Sequence, residues 1–319
     1  MTPPTVSTII PAYHSARTIH TCLDSIAAQT CPVNEIIVVD DHSRDDTVKQ
    51  IQHWNQTHAQ QAQIIQCTHN AGPAAARNAG LAAATSEWIA FLDADDAWLP
   101  WRLDTQFIAL AQRPHTIFLC GQTVDLDAVP ADGTGVSRPC LEPRNIDLPQ
   151  LLAHNPVATS TVLVRRNVIQ ACGGFDTAFR GPEDYDLWLR IIAKGECLFL
   201  PIPLSRYRMT VGSLSMDDRT FLPEVLRVLD KAFAPGGALA PYRRYRYRAK
   251  AEQYTAASWM AYHRGDRKRA IQLLLQSWLC GPTRLAKEQQ DPLQRVKLLL
   301  RYLYKKDSAA PKDCTILQP

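Results

Sequence analysis

From Val6 to Leu92, short apolar runs rich in β-branched residues alternate with polar-faced segments of helical period. VSTII is followed by ARTIHTCLDSIAAQ, EIIVV by DDTVKQIQHWNQ, and QIIQC by PAAARNAGLAAA, and the series closes on EWIAFL. Strands alternating with helices predict a parallel sheet with helices on its faces, wound right-handedly. Pro73 falls where a first helical turn tolerates it. Asp45 is placed to cap the helix of DDTVKQIQHWNQ with its side-chain oxygen.

The pattern changes after Thr116. Strand candidates IFLCG, STVLV and CLFLP lack regular crossovers, a turn-like Asp132-Gly133-Thr134-Gly135 interrupts them, and a helix runs from Glu183 to Lys194 before Gly195. Such a mixture predicts an added antiparallel part. Beyond about Thr220 helix formers dominate, with Pro235-Gly236-Gly237 as a break and helices expected near 242–264, 266–280 and 291–304. The segment AEQYTAASWMAYHRGDRKRAIQLLLQSWLCGP resembles one tetratricopeptide helix pair. Such repeats need stacked neighbours, so a helical appendage is the plainer expectation.

Composition narrows the classes. A chain of 319 residues with 46% apolar content fits one large core, or a core plus a smaller appendage. A net charge of +4, with no aromatic-interleaved basic stripe near the acidic clusters, argues against nucleic acid. MTPPTVSTIIPAY has no basic region before its strand-length apolar stretch, so it reads as a first strand rather than a signal peptide. No apolar run approaches the ~20 residues of a membrane span. Nine cysteines, an odd number with no CxxC pair, argue against a disulfide framework or structural zinc site. A cytoplasmic, reduced protein is expected.

Carboxylates gather at expected strand ends, where open α/β sheets bind ligands: Asp40-Asp41 after EIIVV and Asp93-Ala94-Asp95-Asp96 after EWIAFL. On extended backbone, Asp93 and Asp95 would project to the same side. Two hard oxygen ligands suit Mg2+ or Mn2+, with substrate phosphates completing the shell. Asp41 can accept hydrogen bonds from a nucleobase or ribose, and Arg77 can pair its planar fork with phosphate oxygens. Aspartates that cap the next turn, and a solvated helical arginine, are the structural alternatives. A third cluster, Glu183-Asp184, opens a helix, where carboxylates also complement the dipole. Neither a GxGxxG after the first strand nor a Walker GxxxxGK is present.

These motifs together carry a resemblance. VSTIIPAYHSARTIHTCLDSIAAQT, EIIVVDDHSRDDT, NAGPAAARNAGLAAATSEWIAFLDADDAWLP and STVLVRRNVIQACGGFDTAFRGPEDYDLWLRI are similar, in order, to the blocks of a family 2 glycosyltransferase of the GT-A fold, across most of residues 5–215. The resemblance implies an α/β, Rossmann-like, mainly parallel sheet in a domain spanning 1–219. Its nucleotide-binding half would be about 1–115, its acceptor half about 116–219, and a helical region would fill 220–319. It further implies that Pro11, Tyr13 and Asp41 line the nucleoside pocket, with Arg77 near the diphosphate or base, Asp93 near the ribose and Asp95 on the metal. Asp96 joins the nucleotide-sugar ligands, Asp184 is the general base, and Glu183 is its neighbour in the acceptor pocket. Inversion by single displacement is expected.

In SRYRMTVGSLS, Thr210 stands where many members have histidine; Arg208 beside it would supply phosphate charge, or is a structural surface arginine. His42, where small residues are more usual, reads as a solvated loop histidine. No QxxRW signature follows Asp184, which points to transfer of one or a few sugars per encounter. The implied donor is a UDP-hexose or UDP-N-acetylhexosamine, the acceptor a glycan or lipid-linked glycan of a bacterial surface polysaccharide. The alternatives are a nucleotidyltransferase, for which PAYHSAR lacks the glycine-rich phosphate loop, and a non-catalytic scaffold keeping the fold. PYRRYRYRAK and LQRVKLLLRYLYKK read either as solvated faces of packed helices or as peripheral contacts with the inner face of the plasma membrane.

Overall fold

The computed structural model describes residues 4–138, 140–209, 217–281 and 293–304. The alternation read from the N-terminal part becomes β1 (Val6–Ala12), α1 (Ile19–Ala27), β2 (Glu35–Asp40), α2 (Thr47–Thr57), β3 (Ala62–Gln66), α3 (Pro73–Ala83) and β4 (Trp88–Phe91). β3, β2, β1 and β4 pair in parallel in that order. Ile36, Ile37, Val38 and Val39 are all buried, as are all four residues of β4. Strands covered on both faces require such continuous apolar runs. α1 buries Ile19, Cys22, Leu23 and Ile26, the i, i+3, i+4, i+7 spacing of a single helical face. Asp45 accepts the Thr47 N–H at 3.2 Å and its hydroxyl at 2.5 Å, so the cap of α2 comes from the residue before its N-cap position, Asp46.

The chain continues through β5 (Ala97–Trp98), α4 (Arg102–Gln112), β6 (Thr116–Asp125), β7 (Arg144–Asn145), α5 (Leu148–Ala153), a 3₁₀ turn at Thr159–Thr161, β8 (Leu163–Arg165), α6 (Arg166–Ala171), α7 (Glu183–Ile192) and β9 (Glu196–Tyr207). Among the described residues nine strands form one sheet, ordered β3-β2-β1-β4-β8-β6-β9-β5 with β7 on β9. The added part carries the expected antiparallel pairings, β8 with both neighbours and β5 and β7 with β9, while β6 and β9 run parallel to each other. The connection between β6 and β9 is long enough, and contains enough helix, to return the chain in the same direction. The register between them shifts where Gly121 pairs Leu200 and Gln122 pairs Pro203, so Pro201 falls in a bulge where its missing N–H does no harm.

Two compact units result. The first contains 1–146, 157–178 and 194–209, and hence the whole sheet. The second contains 147–156, 179–193 and 210–319, so the grouping does not follow a single cut near residue 219. Its helices are α5, α7, α8 (Asp218–Phe233), α9 (Arg246–His263), α10 (Arg267–Cys280) and α11 (Gln294–Tyr304). A 3₁₀ segment, Ala240–Tyr245, with non-helical φ/ψ at Tyr242, precedes α9, where one continuous helix from 242 was expected. Gly236 sits at φ +79° in the expected break. Leu222, Trp259, Leu273, Leu274, Leu298 and Tyr302 anchor the core of this unit. No helix among the described residues is long and apolar enough to cross a membrane.

Candidate functional site

Because β1, β2 and β4 are parallel, their carboxyl ends lie at one edge of the sheet, and the sequence places its carboxylates there. β1 ends on Pro11 and Ala12, and the Ala12 carbonyl accepts the Asp41 N–H at 2.8 Å, which sets Pro11, Tyr13 and Asp41 close to one another. Tyr13 is half exposed and stacks on His14, ring centroids 4.0 Å apart. The buried Asp41 carboxylate accepts the N–H groups of Ala71 at 2.9 Å and Gly72 at 2.8 Å. It thereby holds the loop entering α3, where Gly72 adopts φ +87°. His42 is exposed, in the left-handed region at φ +64°.

Beyond β4 the chain turns rather than continuing extended, with the Asp96 N–H donating to the Asp93 carbonyl at 3.0 Å. This corrects the expectation that Asp93 and Asp95 project together as strand neighbours. The chain must reverse into β5 within a few residues, so each carboxylate has surroundings of its own. Asp93 accepts Nη2 of Arg77 at 2.8 Å. Arg77 is itself buried, its guanidinium 5.4 Å from the Phe175 ring centroid. Its fork is therefore directed at Asp93, a pairing that sequence reasoning, with Arg77 facing phosphates, did not anticipate.

Asp96 is turned inward, which corrects its placement among the nucleotide-sugar ligands. It is 2% exposed, and its carboxylate accepts Oγ of Ser160 at 2.5 Å and the Arg208 N–H at 2.9 Å. Burial first, then the charge of Asp93, pushes its carboxyl well above the usual range. Asp95 differs from both. It is half-buried, and no donor of another residue reaches its carboxylate among the described residues. Burial and then Asp93 push it up as well, opposed by the charge of Arg208.

Arg208, just past β9, donates Nε to the Asp95 carbonyl at 3.2 Å and approaches Asp127 at 3.7 Å, so it braces the acidic turn from its backbone side. Two residues were missed by sequence reasoning. Ser160 donates to Asp96 and accepts the Asp93 N–H at 3.2 Å, joining two of the three aspartates. Its segment is held by side chains on three successive carbonyls: Trp98 Nε1 on Ser160 at 3.0 Å, Gln106 Nε2 on Thr161 at 2.9 Å and Arg102 Nη2 on Val162 at 2.8 Å. Tyr207 lies near the cluster; burial and then Asp96, Asp93 and Asp95 push its phenol up. Nothing local marks either residue, since both acquire partners far away in sequence. Thr210 lies outside the described residues.

Glu183 and Asp184 are in the second unit, in the first turn of α7. Three acidic residues there and Arg190 in the last turn complement the helix dipole. Glu183, expected in the acceptor pocket, is buried and accepts the Gly181 N–H at 2.8 Å, with Gly181 at φ +105°. Asp184 is half-buried, and its Oδ1 accepts the Tyr185 N–H at 2.6 Å. Asp186, 2% exposed, accepts Arg190 at 2.6 Å and Lys231 at 2.8 Å, tying α7 to α8. The first turn of α7 is thus rigidly supported. Among the described residues no group of three or more His, Cys, Asp or Glu is gathered as ion ligands.

The family model described as Glycosyl transferase family 2 matches residues 7–169, and that described as Glycosyltransferase like family 2 matches 148–265. A UDP-Glc:alpha-D-GlcNAc-diphosphoundecaprenol beta-1,3-glucosyltransferase of Escherichia coli, WfaP, is 31% identical over 66% of this chain and 79% of its own. Succinoglycan biosynthesis protein ExoO of Rhizobium meliloti is 28% identical over 98% of this chain and 92% of its own. The match to an uncharacterized glycosyltransferase of Haemophilus influenzae, 28% identical, covers 59% of this chain and 62% of that protein. Among solved structures, S. aureus TarS 1-349 in complex with UDP-GlcNAc superposes with a TM-score of 0.64 at 17% identity, covering 88% of this chain and 82% of that one. The mannosyltransferase PcManGT from Pyrobaculum calidifontis, in complex with GDP-Man and Mn2+, gives 0.59 at 19% identity, covering 96% and 88%. At those identities the likeness establishes the fold.

Proposed function

The chain belongs to glycosyltransferase family 2, and from that premise we propose that it moves a sugar from a UDP-linked donor to an acceptor hydroxyl, with Asp184 as general base and Asp95 as a metal ligand. The observation that supports this reading best is the division of roles within Asp93–Asp96. Arg77 holds Asp93, while Ser160 and the Arg208 N–H hold Asp96. Asp95 keeps its oxygens clear of protein donors among the described residues. A hard-oxygen donor left in that condition suits a divalent cation whose shell is completed by phosphates. Mn2+ or Mg2+ held by Asp95, with Asp93 beside it, would supply charge neutralisation for the departing diphosphate.

The acceptor hydroxyl loses its proton to Asp184 as its oxygen bonds to the anomeric carbon, and the electron pair of the broken bond leaves with the nucleoside diphosphate. One displacement inverts the centre. Positioned base assistance of this kind contributes about 10²–10⁴-fold. Pro11, Tyr13 and Asp41 lie where a nucleoside would sit, Tyr13 offering an exposed ring for a base to stack against. Arg77 acts through Asp93, and Arg208 through the backbone of the turn.

A uridine diphosphate donor is favoured by the UDP-Glc specificity in the name of WfaP and by TarS bound to UDP-GlcNAc. A lipid-linked glycan acceptor is favoured by the diphosphoundecaprenol substrate of WfaP, and surface polysaccharide by ExoO. The family assignment sets aside the nucleotidyltransferase alternative. This reading places the reaction in the cytoplasm, at the inner face of the membrane. Isothermal titration with UDP, GDP, CDP and dTDP, each with Mn2+, Mg2+ or chelator, tests it. Metal-dependent binding of UDP above the other three, lost in Asp95→Ala, is expected. Equal affinity with chelator, or binding unchanged in Asp95→Ala, overturns the metal role, and failure of all four to bind favours the scaffold reading.

A further inference from the structure

We propose that Ser160 is the positioning residue of the metal-binding turn: its hydroxyl ties the two ends of Asp93–Asp96 together and thereby sets where Asp95 presents its carboxylate. This role rests on the reading of Asp95 as a metal ligand, and supplies what holds that ligand in place. One oxygen reaches both ends of the turn. Oγ of Ser160 donates to the Asp96 carboxylate at 2.5 Å and accepts the Asp93 N–H at 3.2 Å. Between these points the Asp96 N–H closes on the Asp93 carbonyl at 3.0 Å, and Arg208 donates its N–H to Asp96 and its Nε to the Asp95 carbonyl. With the backbone fixed on both sides of Asp95, only the side-chain torsions of that residue remain to be ordered when an ion binds. A ligand held in this way loses little entropy on binding.

Ser160 can act in this way because it is itself immobile. It is buried in the 3₁₀ turn, and the carbonyls of residues 160, 161 and 162 each accept a side chain, from Trp98 of β5 and from Gln106 and Arg102 of α4. The Thr161 hydroxyl accepts the Gly121 N–H at 3.1 Å, joining the same segment to β6. The arginine in this set is unfavourable in isolation. Arg102 is fully buried, pairs with no carboxylate among the described residues, and leaves Nε and Nη1 without hydrogen-bond partners there. Its guanidinium lies 3.8 Å from the Trp98 ring centroid, and Trp98 Nε1 is the donor to the Ser160 carbonyl. A desolvated cation with unmet donors destabilises a core, and an apolar side chain would fill the same space more favourably. Both its hydrogen bond and, through Trp98, its ring contact lead to residues 160–162. What Arg102 secures is the placement of that segment, and with it the Ser160 hydroxyl. Groups that orient a metal ligand without touching the ion typically change metal affinity 10–100-fold when removed.

The test uses the full chain with Mn2+ titrated calorimetrically in excess UDP, beside urea unfolding, for the parent, Ser160→Ala, Ser160→Thr, Asp96→Asn and Asp96→Asn with Ser160→Ala. Ser160→Ala should raise the Mn2+ concentration at half-saturation about 10–100-fold while UDP affinity at saturating Mn2+ stays near that of the parent. Ser160→Thr, which keeps the hydroxyl, should restore Mn2+ affinity. Asp96→Asn leaves no carboxylate to be stranded by loss of the hydroxyl, so the double variant serves if Ser160→Ala fails to fold. Its Mn2+ affinity should fall below that of Asp96→Asn, because the Asp93 N–H has still lost its acceptor. An unchanged Mn2+ titration in Ser160→Ala, whatever its unfolding midpoint, overturns the proposal, as does equal Mn2+ affinity of Asp96→Asn and the double variant. So does a Ser160→Thr protein as stable as the parent that binds Mn2+ as weakly as Ser160→Ala. Loss of UDP affinity at saturating Mn2+ as large as the loss of metal affinity also overturns it, since that is collapse of the site rather than misplacement of one ligand. In each of these cases the parent still binds UDP with metal and the proposed reaction stands; UDP binding by the parent that is indifferent to metal overturns both.

Discussion

Gly80 in α3 presents two opposed effects whose magnitudes decide the sign. In an exposed helix interior, Gly→Ala gains about 1 kcal/mol from helix propensity. Here a Cβ would stand 2.5 Å from Cγ2 of Ile9, against the 3.4–4 Å of ordinary contact, so α3 or β1 must give by about 1 Å. Ile9 is fully buried on a strand paired on both sides, and its β-branch restricts χ1, so it has little room to move. Overpacking of this kind costs about 1–3 kcal/mol, and a stiff neighbour puts the cost at the upper end. The expected net effect of Gly80→Ala is destabilisation by about 2 kcal/mol, or a fall in Tm of about 4–8 °C for a unit of this size.

The same displacement reaches the site. Arg77 lies one helical turn before Gly80, and its 2.8 Å bond to Asp93 does not survive a 1 Å shift as a well-formed hydrogen bond. Nucleotide affinity should therefore fall together with stability. The assay is reversible urea unfolding of four proteins: parent, Gly80→Ala, Ile9→Ala and the double variant. Removing Ile9 beyond Cβ leaves its Cβ 3.4 Å from the new methyl, so in that background Gly80→Ala should be neutral or stabilising by up to about 1 kcal/mol. Equal destabilisation in both backgrounds would refute the clash, and an increase in Tm in the parent background would refute the magnitude.

Asp184→Asn should lower kcat by about 10²-fold or more while leaving the affinity for UDP with metal nearly unchanged; parallel loss of both would remove the base assignment. Glu35 gives a pH prediction. Burial pushes its carboxyl up, but bonds from the Ser7 hydroxyl, the Thr85 hydroxyl at 2.5 Å and N–H at 3.0 Å, and the backbone of Ser86 outweigh burial and hold it below the usual value. A depressed folded-state pKa contributes stability that is present above the unfolded value, about 4.3, and is lost as pH falls through the folded one. The stability difference between parent and Glu35→Gln should thus be constant near neutrality and shrink below about pH 4.5; a difference that grows on acidification would contradict the network.

Much of this protein was legible in its local pattern. Continuous apolar runs such as Ile36–Val39 report burial on both faces of a strand, and burial on both faces with helices between strands leaves a parallel sheet as the natural outcome. The same logic singled out Asp41, Asp93 and Asp184 as candidates, because ligand sites lie at carboxyl ends of parallel strands and carboxylates favour helix N-termini. What the sequence could not express was partnership. Three aspartates within four residues look alike on the page, yet Arg77, Ser160 and the Arg208 N–H, brought from α3, the segment before β8 and the end of β9, take two of them, while no donor of another described residue reaches the Asp95 carboxylate. The buried face of α11 was equally hidden, since a helix apolar on two faces does not say which one the core will use. Periodicity and turn chemistry act between neighbours in the chain and are written in the sequence alone. Hydrogen bonding, burial and charge act between neighbours in space, and only the tertiary structure decides who those are.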